Sequence, residues 1–192
     1  MLTTNTLRLD HSYKKFIELD HLPKVPKSLI KYNFDQSLWT VTSDVMLTKG
    51  EKTYKGGVYL RNPLTDELKA WIKTHIIADW GDAGYSAIYP PCLGPHMDQY
   101  RLYTLQYVID VGGPEVDTVF YDVANDHVKM EYRYKFTKYA DLEPIESYRA
   151  RNDTWWLIDG RNIHSVENIT TCRIALQLSL QRNPIEKNLL LS

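Results

Sequence analysis

The segment His96-Met97-Asp98 combines two residue types that bind metal ions. Side chains two residues apart on a β-strand point to the same face, so His96 and Asp98 can bind one ion together if this segment is a strand. A third ligand must come from elsewhere in the chain. His164 is the best candidate, because it follows a turn at Gly160 and begins an apolar segment.

Two imidazoles and one carboxylate on one face of an octahedron leave three coordination positions open. This facial arrangement is typical of non-haem Fe(II) oxygenases, in which O₂ and an organic cosubstrate must both reach the metal. Arg173 follows nine residues after His164, and its planar guanidinium fits a carboxylate. Taken singly, His164 could equally be a core histidine and Arg173 a surface ion-pair partner. The ordered set is more specific and predicts an iron site with an acidic cosubstrate anchored by Arg173.

One helix is predicted ahead of these residues, from about Thr65 to Asp79. Thr65 is a suitable N-cap, and acidic residues follow it in the first turn. The residues that recur at helical spacing are Leu68, Trp71, Ile72, His75 and Ile76. We expect this helix to pack on the outside of a sheet with His75 on its buried side. His75 and His127 are interpreted as structural or surface residues.

Short strands separated by turns are predicted for most of the remaining chain. Residues 36–61 suggest short strands. Gly112-Gly113 suggests a turn, with a strand returning after it. Residues 171–181 suggest a strand with Arg173 and Gln177 on its polar, pocket-lining face. The longer predicted strands are Tyr100 to Asp110, Asp117 to Val123, Val128 to Phe136, Thr154 to Ile158 and Thr171 to Gln181. This pattern predicts a mainly β fold, a jelly roll or barrel with supporting helical packing.

With these motifs in place, the chain resembles the Fe(II)/2-oxoglutarate-dependent dioxygenases, and among them the prolyl-hydroxylase-like group. The resemblance covers roughly residues 85–180. The matching segments are Tyr89-Pro90, His96-Met97-Asp98, Arg101 to Asp110, Gly112-Gly113, Thr118-Val119-Phe120, Ile158-Asp159, His164-Ser165-Val166 and Arg173 to Leu176.

The resemblance implies a cupin-like double-stranded β-helix in one domain, residues 1–192, with 1–80 as supporting elements and 85–181 as the catalytic core. It implies Fe(II), O₂ and a 2-oxoglutarate that chelates the iron while its distal carboxylate pairs with Arg173. Further contacts are expected from Tyr89, whose hydroxyl would lie near the cosubstrate, and from inward-facing Thr104, Gln106 and Gln177.

The chain departs from the resemblance at one position. Relatives often have a second tyrosine where this sequence has Val108. The additional contact to the distal carboxylate is then expected from Tyr103 or Tyr107.

The composition is that of an ordinary globular domain, with 192 residues, 43% apolar and 24% charged. No apolar run reaches the roughly 20 residues of a membrane span, and no signal peptide is visible. The formal net charge of −1 argues against nucleic acid as a partner. Cys92 and Cys172 lack metal or redox spacing, which favours two free buried thiols in the cytoplasm.

The predicted function is hydroxylation of an unactivated C–H bond in an amino-acid side chain or small metabolite, with release of succinate and CO₂. The substrate is a small molecule or a peptide, and the oligomeric state is not readable from the sequence. Two alternatives remain open at this point. One is a non-catalytic jelly-roll binding or structural module, and the other is a cupin-like metalloenzyme that does not use 2-oxoglutarate.

Overall fold

The chain is built mainly from antiparallel strands. The computed structural model describes residues 15–32, 40–43, 46–49, 51–55, 59–98, 101–123 and 139–191. The strands in these ranges are β1 Phe16–Glu18, β2 Thr40–Ser43, β3 Met46–Lys49, β4 Lys52–Lys55, β5 Tyr59–Pro63, β6 Ala83–Ile88, β7 Leu93–His96, β8 Tyr103–Asp110, β9 Asp117–Val123, β10 Leu142–Tyr148, β11 Thr154–Asp159, β12 Ile163–Glu167 and β13 Arg173–Leu180. Helix α1 spans Asp66–His75, and short 3-10 turns lie at Lys27–Leu29 and Tyr139–Asp141.

The strands of the described ranges form two sheets and a separate hairpin. The large sheet has seven strands in the order β1-β11-β8-β13-β6-β5-β2, the small sheet has four in the order β10-β9-β12-β7, and β3 pairs with β4. Neighbouring strands are antiparallel throughout these sheets. The predicted class, mainly β with a double-stranded β-helix and a supporting helix, is confirmed.

An aromatic core joins the two sheets. Phe16 of β1 stacks on Trp156 of β11 with ring centroids 4.4 Å apart, and its edge meets Phe120 of β9 at 6.2 Å. Val108 and Ile158 are buried in the same cluster. The face of the large sheet that carries these residues therefore faces the small sheet, and we call it the inner face.

Helix α1 covers the opposite, outer face of the large sheet. Leu68 and Ile72 of the helix are fully buried in a cluster with Leu176 of β13. Thr65 caps the helix as predicted, and its hydroxyl accepts from the Leu68 N–H at 3.3 Å. The helix ends at His75 rather than Asp79, and His75 is exposed, so its predicted burial is wrong.

Strand β9 has the predicted bounds but not the predicted partner. The sequence suggested that it returns beside β8, whereas it pairs with β10 and β12 of the small sheet. Both edges of β8 are already paired, with β11 and β13, so a hairpin with β9 is impossible. Gly112 and Gly113 adopt φ angles of 84° and 141°, which glycine tolerates, and they begin the crossing between the sheets.

Strand β13 alternates as predicted. Arg173 and Gln177 lie on the inner face, and Leu176 and Leu178 contribute to the outer core under α1. All eight residues of β13 are buried, so both faces of this strand are covered.

The predicted strand from Val128 to Phe136 and His127 lie outside the described residues. Cys92 and Cys172 are both free thiols; Cys92 is buried, but Cys172 is only half-buried. Within the described residues, none of the helices has the length and apolar character needed to cross a membrane.

Candidate metal centre

The three predicted ligands converge between two neighbouring strands of the small sheet. His96 ends β7 and lies opposite His164 of β12, with ring centroids 4.4 Å apart. Asp98 lies two residues beyond His96, past the end of β7, so the pair straddles a strand end rather than sharing a strand as expected. The potential ligand atoms of all three residues nonetheless lie within 4.8 Å of one another.

Both histidines keep the same ring nitrogen, Nε2, available for a metal. Nδ1 of His96 lies 2.9 Å from the Gly94 carbonyl oxygen, and Nδ1 of His164 lies 2.9 Å from that of Asn162. A carbonyl can only accept, so Nδ1 carries the proton and Nε2 keeps its lone pair for a metal. Burial and the adjacent His164 lower the pKa of His96 to about 4, against the opposing effect of Asp98, so His96 is neutral at pH 7.

Two side chains hold Asp98: Arg101, which precedes β8, and Thr104, the second residue of β8. Arg101 forms an ion pair with Asp98, in which Nε lies 2.8 Å from Oδ2 and Nη2 donates to Oδ1 at 2.8 Å. Thr104 donates to Oδ2 at 3.1 Å. Burial alone would raise the pKa of Asp98, but Arg101 and the two histidines hold it well below its usual range. Oδ2 thus contacts both Arg101 and Thr104, whereas Oδ1 accepts one hydrogen bond, which leaves Oδ1 with a lone pair for a metal.

A glycine makes room for this carboxylate. A Cβ atom added to Gly160 would overlap Oδ2 of Asp98 and would lie 2.7 Å from the Cβ of Asp98. The Gly160 carbonyl also accepts from the Asp98 N–H at 2.8 Å. The turn between β11 and β12 therefore fixes both the backbone and the side chain of Asp98.

Three buried polar atoms on facing sheets lack hydrogen-bond partners in the described part of the chain. They are Arg173 Nη1, Gln106 Nε2 and Thr118 Oγ1. Unpaired buried polar groups are rare because each costs free energy, so they indicate a missing partner. Arg173 is 2% exposed, and burial lowers its pKa to about 10, so it remains a cation at pH 7.

The pairing of the strands connects the metal ligands to Arg173. His164 lies opposite Phe120, and Thr118, two residues earlier on β9, lies opposite Val166. Val166 belongs to the same buried cluster as Ile88, which lies opposite Arg173. Thr118 and Arg173 thus border the interior at one level, a short step along the strands from the ligands.

The remaining predicted contacts fall into two groups. Thr104 contacts Asp98, and Gln177 accepts hydrogen bonds from Arg61 at 3.0 Å and Arg101 at 3.5 Å. Tyr89 is not brought to this site, because it packs against the outer core beside Cys172.

Tyr103 and Tyr107 also belong to the outer core and are not brought to the inner face. The Tyr103 hydroxyl accepts from Arg161 at 2.6 Å, and that of Tyr107 donates to Asp153 at 3.1 Å. Val108, which directly follows Tyr107, faces inward.

Sequence reasoning missed Arg101, Gly160, Arg61 and Thr118. Arg101 follows Asp98 by three residues, and this short spacing was an available signal. Arg61 lies 116 residues from Gln177, and no local pattern relates them.

No family model and no curated protein matches this sequence. Among solved structures, the chain is similar to an oxidoreductase of the 2OG-Fe(II) oxygenase family from Burkholderia pseudomallei, with 8% identity over 73% of each chain and a TM-score of 0.44. It is also similar to E. coli ycfD; that alignment covers 98% of this chain and 58% of ycfD, with 11% identity and a TM-score of 0.44. The alignment with hazelnut (Corylus avellana) vicilin covers 72% of this chain and 32% of vicilin, with 12% identity and a TM-score of 0.33. The chain thus spans less than two thirds of the length of ycfD and of vicilin.

Proposed function

We propose that this protein is an Fe(II)- and 2-oxoglutarate-dependent oxygenase that hydroxylates an unactivated C–H bond. The substrate would be an amino-acid side chain, free or in a peptide, or a small metabolite, and the coproducts are succinate and CO₂. The observation that supports 2-oxoglutarate as the cosubstrate is the buried Arg173, near the two-histidine, one-carboxylate cluster. Its Nη1 has no hydrogen-bond partner among the described residues.

The residues present fit both groups. The two imidazoles and one carboxylate of His96, Asp98 and His164 suit Fe(II), and three such ligands would leave coordination positions for other groups. A buried guanidinium without an anion is unfavourable, and a carboxylate offsets its charge through paired hydrogen bonds. A dicarboxylic acid with a 2-oxo group satisfies both requirements, with one end toward the metal and the other toward Arg173.

The side chains of this protein have defined roles in that reaction. His96, Asp98 and His164 would hold the metal, and bound iron together with 2-oxoglutarate and O₂ would supply the oxidising chemistry. Arg101 and Thr104 keep Asp98 ionised and oriented.

The surroundings of the centre contribute as well. The Phe120 ring lies 5.7 Å from that of His164 and, with the aromatic core, excludes water from one side of the centre. The scheme requires no side-chain general base.

Turnover of 2-oxoglutarate labelled at C1 tests the proposal. With Fe(II) and O₂, the wild-type protein should release labelled CO₂ and an equal amount of succinate, even slowly without a substrate. His164→Ala should abolish release, whereas Arg149→Gln, at an exposed surface arginine, should not change it.

The outcomes separate the competing functions. Metal binding without succinate formation would contradict the proposal and favour a metalloenzyme that does not use 2-oxoglutarate. A folded protein that binds neither metal nor 2-oxoglutarate would favour a non-catalytic jelly-roll module.

A further inference from the structure

Gln177 lies on the inner face of the large sheet, between two arginine side chains. It is 7% exposed, and its Oε1 accepts hydrogen bonds from Nη1 of Arg61 at 3.0 Å and from Nη1 of Arg101 at 3.5 Å. A guanidinium group only donates, so the amide must turn its oxygen toward both arginines. The two arginines therefore fix which end of the Gln177 amide faces them.

Arg101 connects this amide to a metal ligand. Its Nε lies 2.8 Å from Oδ2 of Asp98, and its Nη2 donates to Oδ1 of Asp98 at 2.8 Å. Its Nη1 is the nitrogen that meets Gln177. Because the guanidinium is a rigid plane, a contact at Nη1 also restrains the direction from which the other two nitrogens approach the carboxylate.

Arg61 is itself held by groups around it. Its Nη2 donates to Oδ2 of Asp82 at 2.6 Å. Its guanidinium passes close to Gly84, where an added Cβ would lie only 3.1 Å from Nη2, so the glycine leaves the space that Arg61 needs. A series of contacts thus leads from an ion pair at the surface to the amide of Gln177.

Burial increases along this series of contacts. The side chain of Asp82 is 74% exposed and that of Arg61 is 18% exposed, whereas that of Asp98 is 6% exposed. An exposed ion pair contributes little free energy, but a hydrogen bond is stronger where the local dielectric constant is low. The buried acceptor on Gln177 is therefore the contact that should matter most to Asp98.

We infer that Gln177 is a positioning residue for the metal centre, because its amide oxygen orients Arg101, which in turn holds Asp98 where it can bind the ion. This role differs from the cosubstrate contact expected of Gln177. The inference rests on the metal-binding part of the proposed function.

Mn(II) affinity, measured by electron paramagnetic resonance titration without 2-oxoglutarate, tests the role of the oxygen. Gln177→Met removes the acceptor at similar volume and unchanged charge, and it should lower the affinity by about fivefold, less than is typical when a group that touches a ligand is lost. Gln177→Glu keeps an acceptor and should not lower it. A role in packing alone predicts the reverse order, since Met is tolerated in a core. Gln177→Leu repeats the test should Gln177→Met not fold.

A second pair of variants tests the route through Arg101. Arg101→Lys keeps the charge, but one ammonium group cannot replace the three nitrogens that contact Asp98 and Gln177. It should lower Mn(II) affinity, and adding Gln177→Met should lower it no further, because the coupling is already lost. Ser86→Ala is the control, since it removes a buried hydroxyl that donates to the Ala175 carbonyl at 3.3 Å, and it should leave Mn(II) affinity unchanged.

Failure of this inference is distinguishable from failure of the proposed function. If the wild type binds Mn(II) and Gln177→Met binds it equally well, or if Gln177→Glu or Ser86→Ala loses as much affinity as Gln177→Met, the positioning role is wrong and the oxygenase proposal stands. Effects of Arg101→Lys and Gln177→Met that multiply would show independent action and would also overturn it. If the wild type does not bind Mn(II), the proposed function fails first.

Discussion

Arg173 is a buried cation that is more useful for binding than for folding. No ion pair to it is found among the described residues, and its Nη1 has no hydrogen-bond partner. Its desolvation therefore reduces the stability of the ligand-free protein, and a ligand carboxylate offsets that cost.

We predict that Arg173→Met stabilises the ligand-free protein and greatly weakens 2-oxoglutarate binding. Relief of the buried charge should add on the order of 1–3 kcal/mol to the free energy of unfolding in urea. Saturating 2-oxoglutarate should raise the melting temperature of the metal-loaded wild type but not of the variant. Arg161→Met is the control, because Arg161 is half-exposed and paired with Asp159, so it should give no stabilisation. A less stable Arg173→Met protein would contradict this account.

His96 makes the stability of the metal-free protein depend on pH. Burial and His164 lower its pKa from 6.5 to about 4, so between these values the unfolded chain binds more protons than the folded one. Stability from this group is complete above pH 6.5 and is lost as the pH falls toward 4. The free energy of unfolding, measured by urea titration at pH 7, 6 and 5, should fall more steeply with decreasing pH for the wild type than for His96→Gln. An equal fall in both proteins would show that His96 does not contribute to the pH dependence.

The ligand residues could be predicted from the sequence, but the residues that hold them could not. His96, Asp98 and His164 are recognisable by type, spacing and order. Gly160 acts on Asp98 only because the turn after β11 returns to the end of β7, and the sequence does not encode that contact locally.

At the scale of elements, the turn between β11 and β12 is the part most sensitive to change. Gly160→Ala would push a methyl group into Asp98, so the carboxylate must move. We expect Mn(II) affinity to fall by about tenfold or more, as for lost supporting contacts at metal sites. Gly81→Ala is the matched control, since its Cβ would lie 3.5 Å from the Ser179 carbonyl, an ordinary contact. Equal metal affinities for the two variants would refute this role of Gly160.

Helix α1 supports the sheet from the outside and should be separable from the chemistry. Removing the Thr65 cap with Thr65→Ala should cost about 1 kcal/mol of unfolding free energy in urea. Mn(II) affinity should be unchanged, because the helix packs on the outer face. Thr74→Ala, at an exposed helix hydroxyl, should cost less. A drop in metal affinity with Thr65→Ala would show that helix and site are coupled.

The direction of the tyrosines in β8 shows where strand alternation stops being informative. Six consecutive residues from Tyr103 to Val108 are buried, because helix and aromatic core cover opposite faces of the strand. With both faces buried, alternation cannot say which face is inner. The expectation of a contact from Tyr103 or Tyr107 came from the resemblance, as a replacement for the tyrosine that is absent at Val108, and the two tyrosines lie on the face opposite to Thr104 and Gln106.

At the scale of the whole molecule, the order of the strands within the sheets could not be predicted from local sequence patterns. β1 pairs with β11 although about 140 residues separate them, and β5 brings Arg61 to Gln177. Strand existence follows from short-range alternation, whereas neighbours depend on which edges remain unpaired. The β-helix class was therefore predictable from 85–180, but the contribution of β1 and β5 to the interior was not.

The proposed function requires the small sheet and the large sheet to act on one molecule together. The metal ligands lie on β7 and β12 or just beyond β7, and Arg173 lies on β13 of the other sheet. A ligand that contacts both must bridge the interior between the sheets. Binding of such a bridging ligand can be measured without knowing the substrate.

Anaerobic titration of the Fe(II)-loaded protein with 2-oxoglutarate measures it directly. Chelation of the iron by the 2-oxo acid should give a visible metal-to-ligand charge-transfer band that saturates at one equivalent, disappears in His96→Ala, and requires far more 2-oxoglutarate in Arg173→Met. Pyruvate, which lacks the distal carboxylate, should bind the wild type and Arg173→Met with similar, weak affinity. A well-folded, iron-loaded protein that gives no band, or a band that saturates at the same 2-oxoglutarate concentration in Arg173→Met as in the wild type, would contradict the account.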